Sequence, residues 1–288
     1  MINTKYMKEG RHEFSPQEIP PLRSGNEVAR LIEEWSHIVP EPLQHILRQS
    51  TVALTVAGLK PFTFTHVDVE KGDELETVKS GIDALNTISN EQGLGLVWWL
   101  SDEIEKSASD GIEFLEIHLK NLLAYERVSK TSQLPGVAEY EVSRGEDGLH
   151  DWYKNTRSGL QEAQKQGLLP QGEKAVGIMM QGLYFGYPDQ AILDFTNWYM
   201  KKGEHSELTD SDMKFTRMYK EPVPDFDYYS EHSDDTAIQA YKKEAEQILK
   251  DFYGSPWHRT ASNRPTRLAS AEEIERYQRV GVPSKPEK

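Results

Sequence analysis

The longest apolar stretch of the chain, residues 174–200, is interrupted once, by the turn residues 186–189. On both sides of this turn, apolar side chains recur at spacings of three and four residues, as they do on one face of a helix. Pro188 has a fixed φ and lacks an N–H group, so it suits the first turn of a helix, and Gly203 is a typical helix stop. The sequence therefore predicts a helical hairpin over 174–202 that forms the central core.

Helical patterns also occur in other parts of the chain. Ser24 and Glu27 form a capping-box pair in front of an apolar helical face. Asp110 and Glu113 are placed to start another helix, over 110–123, with leucines at its inner positions. Further helices are predicted over 42–47, 73–88, 151–166 and 235–253.

Strand patterns are fewer than helical ones. Residues 62–69 alternate between two faces with period two, and 137–142 form a second candidate strand. The short runs 51–57 and 93–100 fit either a strand or part of a helix, because periodicity cannot separate the two over so few residues. We expect a mostly α (α+β) protein, a helical domain organised on the hairpin at 174–202 with a small β-sheet.

Composition divides the chain into three parts. Residues 1–23 contain three prolines and are predicted to form an N-terminal arm. Residues 24–254 are predicted to form a single globular, mostly helical domain. Residues 255–288 hold seven Lys or Arg against four Glu, so we expect a basic tail with one short helix, packed along the acidic body or docked on a partner.

The 288-residue chain carries a formal net charge of −14 and contains no cysteine. The lack of cysteine excludes disulfides, thiolate zinc sites, cysteine-held iron–sulfur clusters and cysteine nucleophiles within this chain. An acidic surface repels nucleic acids and anionic membranes. No apolar run approaches the roughly 20 residues of a spanning helix, and the N-terminus lacks the apolar segment of a secretory signal. We therefore expect a soluble, cytoplasmic protein.

Local catalytic motifs are missing from the sequence. It contains neither the phosphate-binding patterns GxxxxGK[ST] and GxGxxG nor the hydrolase and zinc patterns GxSxG and HExxH. A catalytic site must therefore be assembled from separate positions.

The first candidate site is formed by His66, Asp68 and Glu70, whose side chains share one face of the predicted strand. Imidazole and carboxylate ligands suit Fe(II), Mn(II) or Zn(II), so a divalent metal is the cofactor that this pattern indicates. His66 and Asp68 are also the predicted catalytic acid/base pair. The competing interpretation is a strand end whose polar residues meet solvent.

A second metal pattern is incomplete. Glu34 and His37 share a helix face, as the ligands of carboxylate-bridged di-iron bundles do, but a second Glu-x-x-His is missing. Glu116 and His118 lie two residues apart and point in different directions on the helix predicted over 110–123. The sequence therefore does not predict that they act together.

Aromatic residues exceed what a core of this size requires, and Tyr and Trp line ligand pockets as readily as they fill cores. Tyr184, Tyr187 and Asp189 surround the hairpin turn and are the predicted substrate-binding residues. The acidic segment 225–232 is the predicted lid over them.

Two short segments, Gly-Leu-Lys-Pro at 58–61 and Gly-Leu-Tyr-Phe-Gly-Tyr-Pro at 182–188, resemble an uncharacterised family of small bacterial proteins. The likeness covers less than a tenth of the chain, and the cysteine that precedes the first element in that family is absent here. The resemblance implies no activity.

These observations lead to two functional hypotheses. The first is a small-molecule-binding protein, an enzyme or a sensor, with a His/carboxylate site in an aromatic-lined pocket. The second is a non-catalytic partner or assembly subunit, including a homo-oligomer, that acts through protein–protein contacts. Neither hypothesis involves a nucleic acid or a membrane.

Overall fold

The computed structural model describes part of the chain: residues 19–68, 72–106, 113–172, 174–202, 213–215, 227–229, 232 and 234–254. The chain divides into two compact units. We call them the sheet unit, with 22–121 and 240–254, and the helical unit, with 122–215 and 227–239. The described residues confirm a mostly α protein with a small antiparallel sheet.

The described part of the sheet unit places three helices before its first strand and one helix between its first two strands. In chain order the elements are α1 (Gly25–Ser36), α2 (Glu41–Leu47), α3 (Ser50–Ala57), β1 (Phe62–Asp68), α4 (Gly72–Glu91), β2 (Leu96–Lys106) and β3 (Glu113–Asn121).

The described part of the helical unit is built mainly from four helices. In chain order its elements are α5 (Leu122–Thr131), a 3-10 helix (Val142–Arg144), α6 (Gly145–Lys165), α7 (Ala175–Phe185), α8 (Asp189–Lys202), β4 (Met213–Phe215) and β5 (Asp227–Tyr229). The last helix of the described residues, α9 (Thr236–Gly254), begins in this unit, and its residues from 240 onward belong to the sheet unit.

The three-stranded sheet has β3 in the centre, with β1 and β2 antiparallel on either side. Because side chains alternate between the two faces of a strand, each face collects its own set of residues. One face is buried and consists of Thr63, Thr65, Val67, Leu96, Trp98, Leu115, Ile117 and Leu119. The opposite face, which we call the aromatic–histidine face, carries Phe62, Phe64, His66, Trp99, Glu116, His118 and Lys120.

The end of α3 is fixed by side-chain hydrogen bonds to the carbonyl groups of its last turn. Gly58 ends α3 with a φ of 89°, a conformation that glycine adopts without steric cost. The Arg23 side chain donates to the carbonyl oxygen of Val56 at 2.8 Å, and Asn121 Nδ2 donates to that of Thr55 at 2.6 Å. Asn121 is the last residue of β3, so this bond ties the end of β3 to α3.

The predicted capping box and hairpin are both present. Ser24 and Glu27 exchange hydrogen bonds at the start of α1, as the sequence predicts. Helices α7 and α8 form the hairpin in the helical unit, with Gly186 in the left-handed conformation between them. Its buried apolar residues include Met179 and Leu183, each 0 % exposed.

Two secondary-structure predictions are wrong. The segment predicted as a helix over 110–123 contains β3, and α5 begins only at Leu122. Leucines at 115, 119 and 122 fit a helix, but Leu115, Ile117 and Leu119 also fit the period of a strand, and pairing with two neighbouring strands decides the outcome. The predicted strand 137–142 is an irregular segment that ends in the 3-10 helix.

The structure resolves the two ambiguous runs. Residues 51–57 lie in α3, and the run 93–100 contains the beginning of β2. Within the described ranges, no helix has both the length and the apolar character needed to cross a membrane. The arm 1–18, the tail 255–288 and most of the segment 225–232 lie outside the described residues.

Candidate functional site

The aromatic–histidine face results from the alternation of polar and apolar residues on β3. Leu115, Ile117 and Leu119 enter the core, so the residues between them are directed to the other face. Pairing with β1 sets His66 directly opposite Glu116. The sheet thus brings His66 together with Glu116 and His118, which lie about 50 residues later in the sequence.

His118 is held in place by aromatic rings. Its imidazole stacks on the Trp99 ring, with centroids 4.8 Å apart, and its centroid lies 5.7 Å from that of Phe62. Lys120 Nζ lies 4.2 Å from the centroid of the same Trp99 ring, a cation–π distance. These contacts fix the plane of His118 and leave little freedom for its ring to turn.

The carboxylate of Glu116 lies between the two imidazoles. Its Oε2 is 2.9 Å from His118 Nε2, a hydrogen-bond distance, and its Oε1 is 3.6 Å from His66 Nε2. The backbone N–H of Glu116 donates to the Ser101 hydroxyl group at 3.2 Å. His118 therefore orients Glu116, and Glu116 presents its second oxygen to His66.

Exposure differs among the residues of this site. The His66 side chain is 46 % exposed, whereas those of Glu116 and His118 are 23 % and 19 % exposed. Phe64, next to His66 on the same face of β1, is 44 % exposed and is one of few large apolar residues of the described chain with such exposure. A ligand that reaches this face would meet His66 and Phe64 first.

Helix α4 positions the Trp99 side of the face. Asn86 Nδ2 donates to the carbonyl oxygen of Trp98, and the Trp98 N–H donates to Asn86 Oδ1, each at 2.8 Å. The Asn86 amide therefore pairs with the outer edge of β2 as a neighbouring strand would. Since Trp99 follows Trp98 directly, this pair also fixes the ring on which His118 stacks.

The series His66, Glu116 and His118 is suited to proton transfer. Histidine is the side chain that changes charge near neutral pH, and a carboxylate that accepts from one ring nitrogen selects the tautomer of that ring. His118 carries a proton on Nε2 when it donates to Glu116. His66, the more exposed imidazole, is the one that can exchange a proton with a ligand.

The metal site predicted at His66, Asp68 and Glu70 stays a prediction. Glu70 and the side chain of Asp68 lie outside the described residues, so only His66 of that set can be located. Each imidazole near Glu116 faces a different carboxylate oxygen. Among the residues that the structure describes, no group of three or more His, Asp or Glu side chains could hold a metal ion.

Sequence reasoning missed Glu116 and His118 because it assigned them to a helix. Residues two apart point in different directions on a helix but to the same side on a strand. The alternation of Glu116, His118 and Lys120 with apolar neighbours was the signal that could have identified the strand.

The predicted substrate-binding residues lie in the helical unit, whereas His66 lies in the sheet unit. The Tyr184 ring lies beside that of Tyr125, with centroids 5.2 Å apart, and Tyr187 stacks on Phe185 with centroids 5.7 Å apart. Burial raises the pKa of the Tyr184 hydroxyl group, and burial raises that of Tyr125 further. Both hydroxyl groups are therefore neutral near pH 7.

Asp189, the third predicted substrate residue, has partners within the protein. Its carboxylate accepts hydrogen bonds from the Ser132 hydroxyl group, at 2.9 Å, and from the backbone N–H of Gln133. Burial raises the pKa of Asp189 despite these bonds. The carboxylate thus connects the start of α8 to the segment after α5, and its role toward a substrate stays a prediction.

A shallow groove of about 550 Å³ lies elsewhere in the sheet unit. It is lined by the turn after α1 and by α4, including Ile38, Pro40, Glu76 and Ser80. None of its lining residues belongs to the aromatic–histidine face. The groove lacks the imidazoles and aromatic rings of that face, so we place the candidate chemistry on the sheet.

No model of a known protein family matches the chain, and neither a characterised protein nor a solved structure matches it. The geometry of the sheet unit is therefore the basis for a functional proposal.

Proposed function

We propose that this protein binds a small molecule on the aromatic–histidine face and exchanges a proton with it through His66. The observation that carries the proposal is the position of the Glu116 carboxylate, 2.9 Å from His118 Nε2 and 3.6 Å from His66 Nε2. In this proposal His66 is the acid/base group, Glu116 is its carboxylate partner, and His118 positions Glu116.

The proposed roles follow from burial and hydrogen bonding. An imidazole acts as an acid or base when it can reach its substrate, and His66 is the most exposed of the three ionisable groups. A carboxylate beside an imidazole orients it and stabilises its protonated form during proton transfer. In this proposal Glu116 has the role that the sequence pattern assigned to Asp68, whose side chain lies outside the described residues.

The chemistry of the face suggests the class of ligand. Phe64 offers an exposed apolar ring, and the buried Phe62 ring packs beside it and against Trp99. This surface favours an aromatic or similarly planar molecule. Lys120 adds a positive charge over Trp99 in a chain of net charge −14. We therefore propose a planar molecule with an anionic group, rather than a nucleic acid, whose many phosphates the overall charge repels.

The binding test uses 8-anilinonaphthalene-1-sulfonate, a planar aromatic anion whose fluorescence rises when it binds apolar surface. We expect saturable binding to the native protein. Phe64→Ser should weaken it about tenfold, the effect of losing about 1.4 kcal/mol of apolar contact. Lys120→Gln should also weaken binding, because it removes the local positive charge.

Ile38→Ser is the matched control, because Ile38 is 50 % exposed in the same unit but does not belong to the aromatic–histidine face. It should bind the probe as the native protein does. Because Ile38 lines the separate groove, a loss of binding in Ile38→Ser alone would place the probe there and contradict the proposed binding face. Equal loss in Ile38→Ser and Phe64→Ser, or no loss in either, would contradict it as well.

A role as an assembly subunit is the second candidate, and the edges of the sheet favour it. Strands β1 and β2 each have β3 on one side only within the described sheet, and β1 carries the exposed Phe64. An edge strand with an exposed aromatic residue can pair with another chain. Light scattering after size-exclusion chromatography tests this: a dimer that becomes a monomer in Phe64→Ser would support it, and a monomer in both proteins would contradict it.

A further inference from the structure

The shallow groove of the sheet unit, between the turn after α1 and helix α4, takes no part in the proposed proton exchange. Among its lining residues, Val39 and Gly81 are buried and Ala84 is partly buried. These small residues of α4 leave room for the side chains of an opposing segment. Ile38, which also lines the groove, is 50 % exposed, so a large apolar side chain is available for such a segment to cover.

Helix α9 brings the chain close to this groove before the tail 255–288 begins. The Tyr253 hydroxyl group donates to the carbonyl oxygen of Arg48, the residue that ends α2, at 3.3 Å. Helix α2 has seven residues and is about 10 Å long, and Pro40, which lines the groove, directly precedes it. Since α9 ends at Gly254 and residues 255–270 can span up to about 50 Å, the tail can reach the groove.

The sequence of the tail, which lies outside the described residues, predicts one amphipathic helix. Ser270 and Glu273 have the spacing of a capping box and therefore predict the start of that helix. Ile274 and Tyr277, three residues apart in its first turns, share one helix face. The tail therefore offers an apolar face to a surface that carries small and exposed apolar residues.

The charges of the tail and of the groove are complementary. Residues 255–270 contain three arginines and neither Asp nor Glu. Glu76 lines the groove, and the exposed residues Glu41 and Asp83 each neighbour a lining residue in sequence. These three carboxylates outnumber Lys79, whose ammonium group lies 3.0 Å from Glu76. Exposed ion pairs each add little stability, so the charges guide the tail and the apolar contacts hold it.

We propose that the tail 255–288 of the same chain docks in this groove. The apolar face with Ile274 and Tyr277 packs against Ile38 and the small residues of α4, and the arginines before it lie along the neighbouring carboxylates. The linker after α9 holds the tail near the groove at a high effective concentration, which favours the chain's own tail over that of a second copy. The proposal does not depend on the chemistry of the aromatic–histidine face.

Because the chain contains no cysteine, one introduced pair of cysteines reports the contact in the full-length protein. Ile38→Cys and Ile274→Cys can form a disulfide only when their Cα atoms come within about 7 Å. We expect an intrachain disulfide under mild oxidation, located by mass spectrometry of the linked peptides. Phe64→Cys with Ile274→Cys is the matched control, because Phe64 is 44 % exposed in the same unit but does not line the groove. Its disulfide should form at least about tenfold more slowly.

Charge reversal tests how the tail is guided. Added to the protein with Ile38→Cys and Ile274→Cys, Glu76→Lys should slow disulfide formation, and more strongly at low than at high salt concentration, because exposed charges are screened by salt. Glu91→Lys is the control, because Glu91 is an exposed residue at the end of the same helix, about 22 Å farther along its axis. It should leave the rate of disulfide formation unchanged.

Three results would overturn the proposal. Equal rates for the pairs with Ile38→Cys and Phe64→Cys would show that the tail does not prefer the groove. Disulfides that join two molecules instead of two positions of one chain would assign the groove to a second copy. Equal rates in Glu76→Lys and Glu91→Lys would show that the charges beside the groove do not attract the tail.

Discussion

The Asn86 side chain joins α4 to the backbone of β2 by two hydrogen bonds, so Asn86→Ala is expected to weaken both the sheet unit and the candidate site. The substitution removes two hydrogen bonds of 2.8 Å, one to the carbonyl oxygen and one to the N–H of Trp98. A buried backbone group that loses its partner costs about 1–3 kcal/mol. Since β2 is an edge strand and water can replace part of the loss, we expect a total of about 2–3 kcal/mol.

Urea unfolding followed by circular dichroism measures this loss, and hydrogen exchange at the Trp98 amide locates it. Thr87→Ala is the control, because Thr87 is the next residue of α4, is exposed, and bonds only within its own helix at Asp83. It should change the free energy of unfolding by less than about 0.5 kcal/mol. Asn86→Asp keeps an acceptor for the Trp98 N–H but loses the donor to the Trp98 carbonyl oxygen. Its stability should therefore lie between those of Asn86→Ala and Thr87→Ala.

The reasoning would be refuted if Asn86→Ala were as stable as Thr87→Ala and its Trp98 amide remained equally protected from exchange. The same variant should bind the sulfonate probe more weakly, because Trp99 would no longer be fixed beside His118. Unchanged binding in a destabilised protein would show that the position of Trp99 does not matter for the ligand.

Three further predictions concern glycine contacts and carboxyl groups. Gly159→Ala should lower the free energy of unfolding by about 1–3 kcal/mol, because the new Cβ would overlap the backbone of Gly136. Gly177→Ala has open space around the new Cβ and should stabilise α7 by about 0.5–1 kcal/mol. Thermal unfolding measures both effects. Because the pKa of Asp189 is raised in the folded state, the folded protein binds the carboxyl proton more tightly than the unfolded chain does. Asp189 therefore favours folding at low pH. This stabilisation is lost as pH rises from the usual pKa of 3.8 through the raised pKa of the folded state. Asp189→Asn should remove that decline from the unfolding midpoints, and a decline that persists would contradict the assignment. The contribution of Glu27 to stability depends on pH in the opposite direction. Hydrogen bonds from Ser24 at the start of α1 lower the pKa of Glu27 from the usual 4.5. The stability that Glu27 contributes is therefore lost as pH falls through the lowered pKa. Glu27→Gln should be less sensitive to that fall in pH, as urea titrations at several pH values can measure.

Sequence patterns over a few neighbouring residues correctly predicted the start of α1 and the hairpin of α7 and α8. The capping box of Ser24 and Glu27 marks the start of α1 because the hydrogen bonds that define it join neighbouring residues. The hairpin of α7 and α8 follows from a long apolar run that a glycine and a proline interrupt. At Gly182 the two helices approach closely, since a Cβ there would meet Ile192.

The parts that sequence reasoning missed depend on contacts between distant residues. Strand β3 contains leucines that satisfy helical and strand periods together, and only its pairing with β1 and β2 distinguishes the two. The assignment of a helix separated Glu116 from His118 and concealed their contact. The contact between the Asp194 carboxylate on α8 and His232 Nδ1, at 2.8 Å, had no local signal either, because the two residues are 38 positions apart in sequence.

The central claim is that His118 orients Glu116 toward His66 on an exposed aromatic face, and imidazole ¹⁵N NMR of the native protein and of Glu116→Gln tests it most directly. We predict that His118 carries a proton on Nε2 hydrogen-bonded to the carboxylate, and that the signals of His66 and His118 both move in the variant. The signals of His45, an exposed histidine on α2 of the same unit, should stay in place. A His118 with its proton only on Nδ1, or His66 and His118 signals that do not respond to Glu116→Gln, would contradict the account.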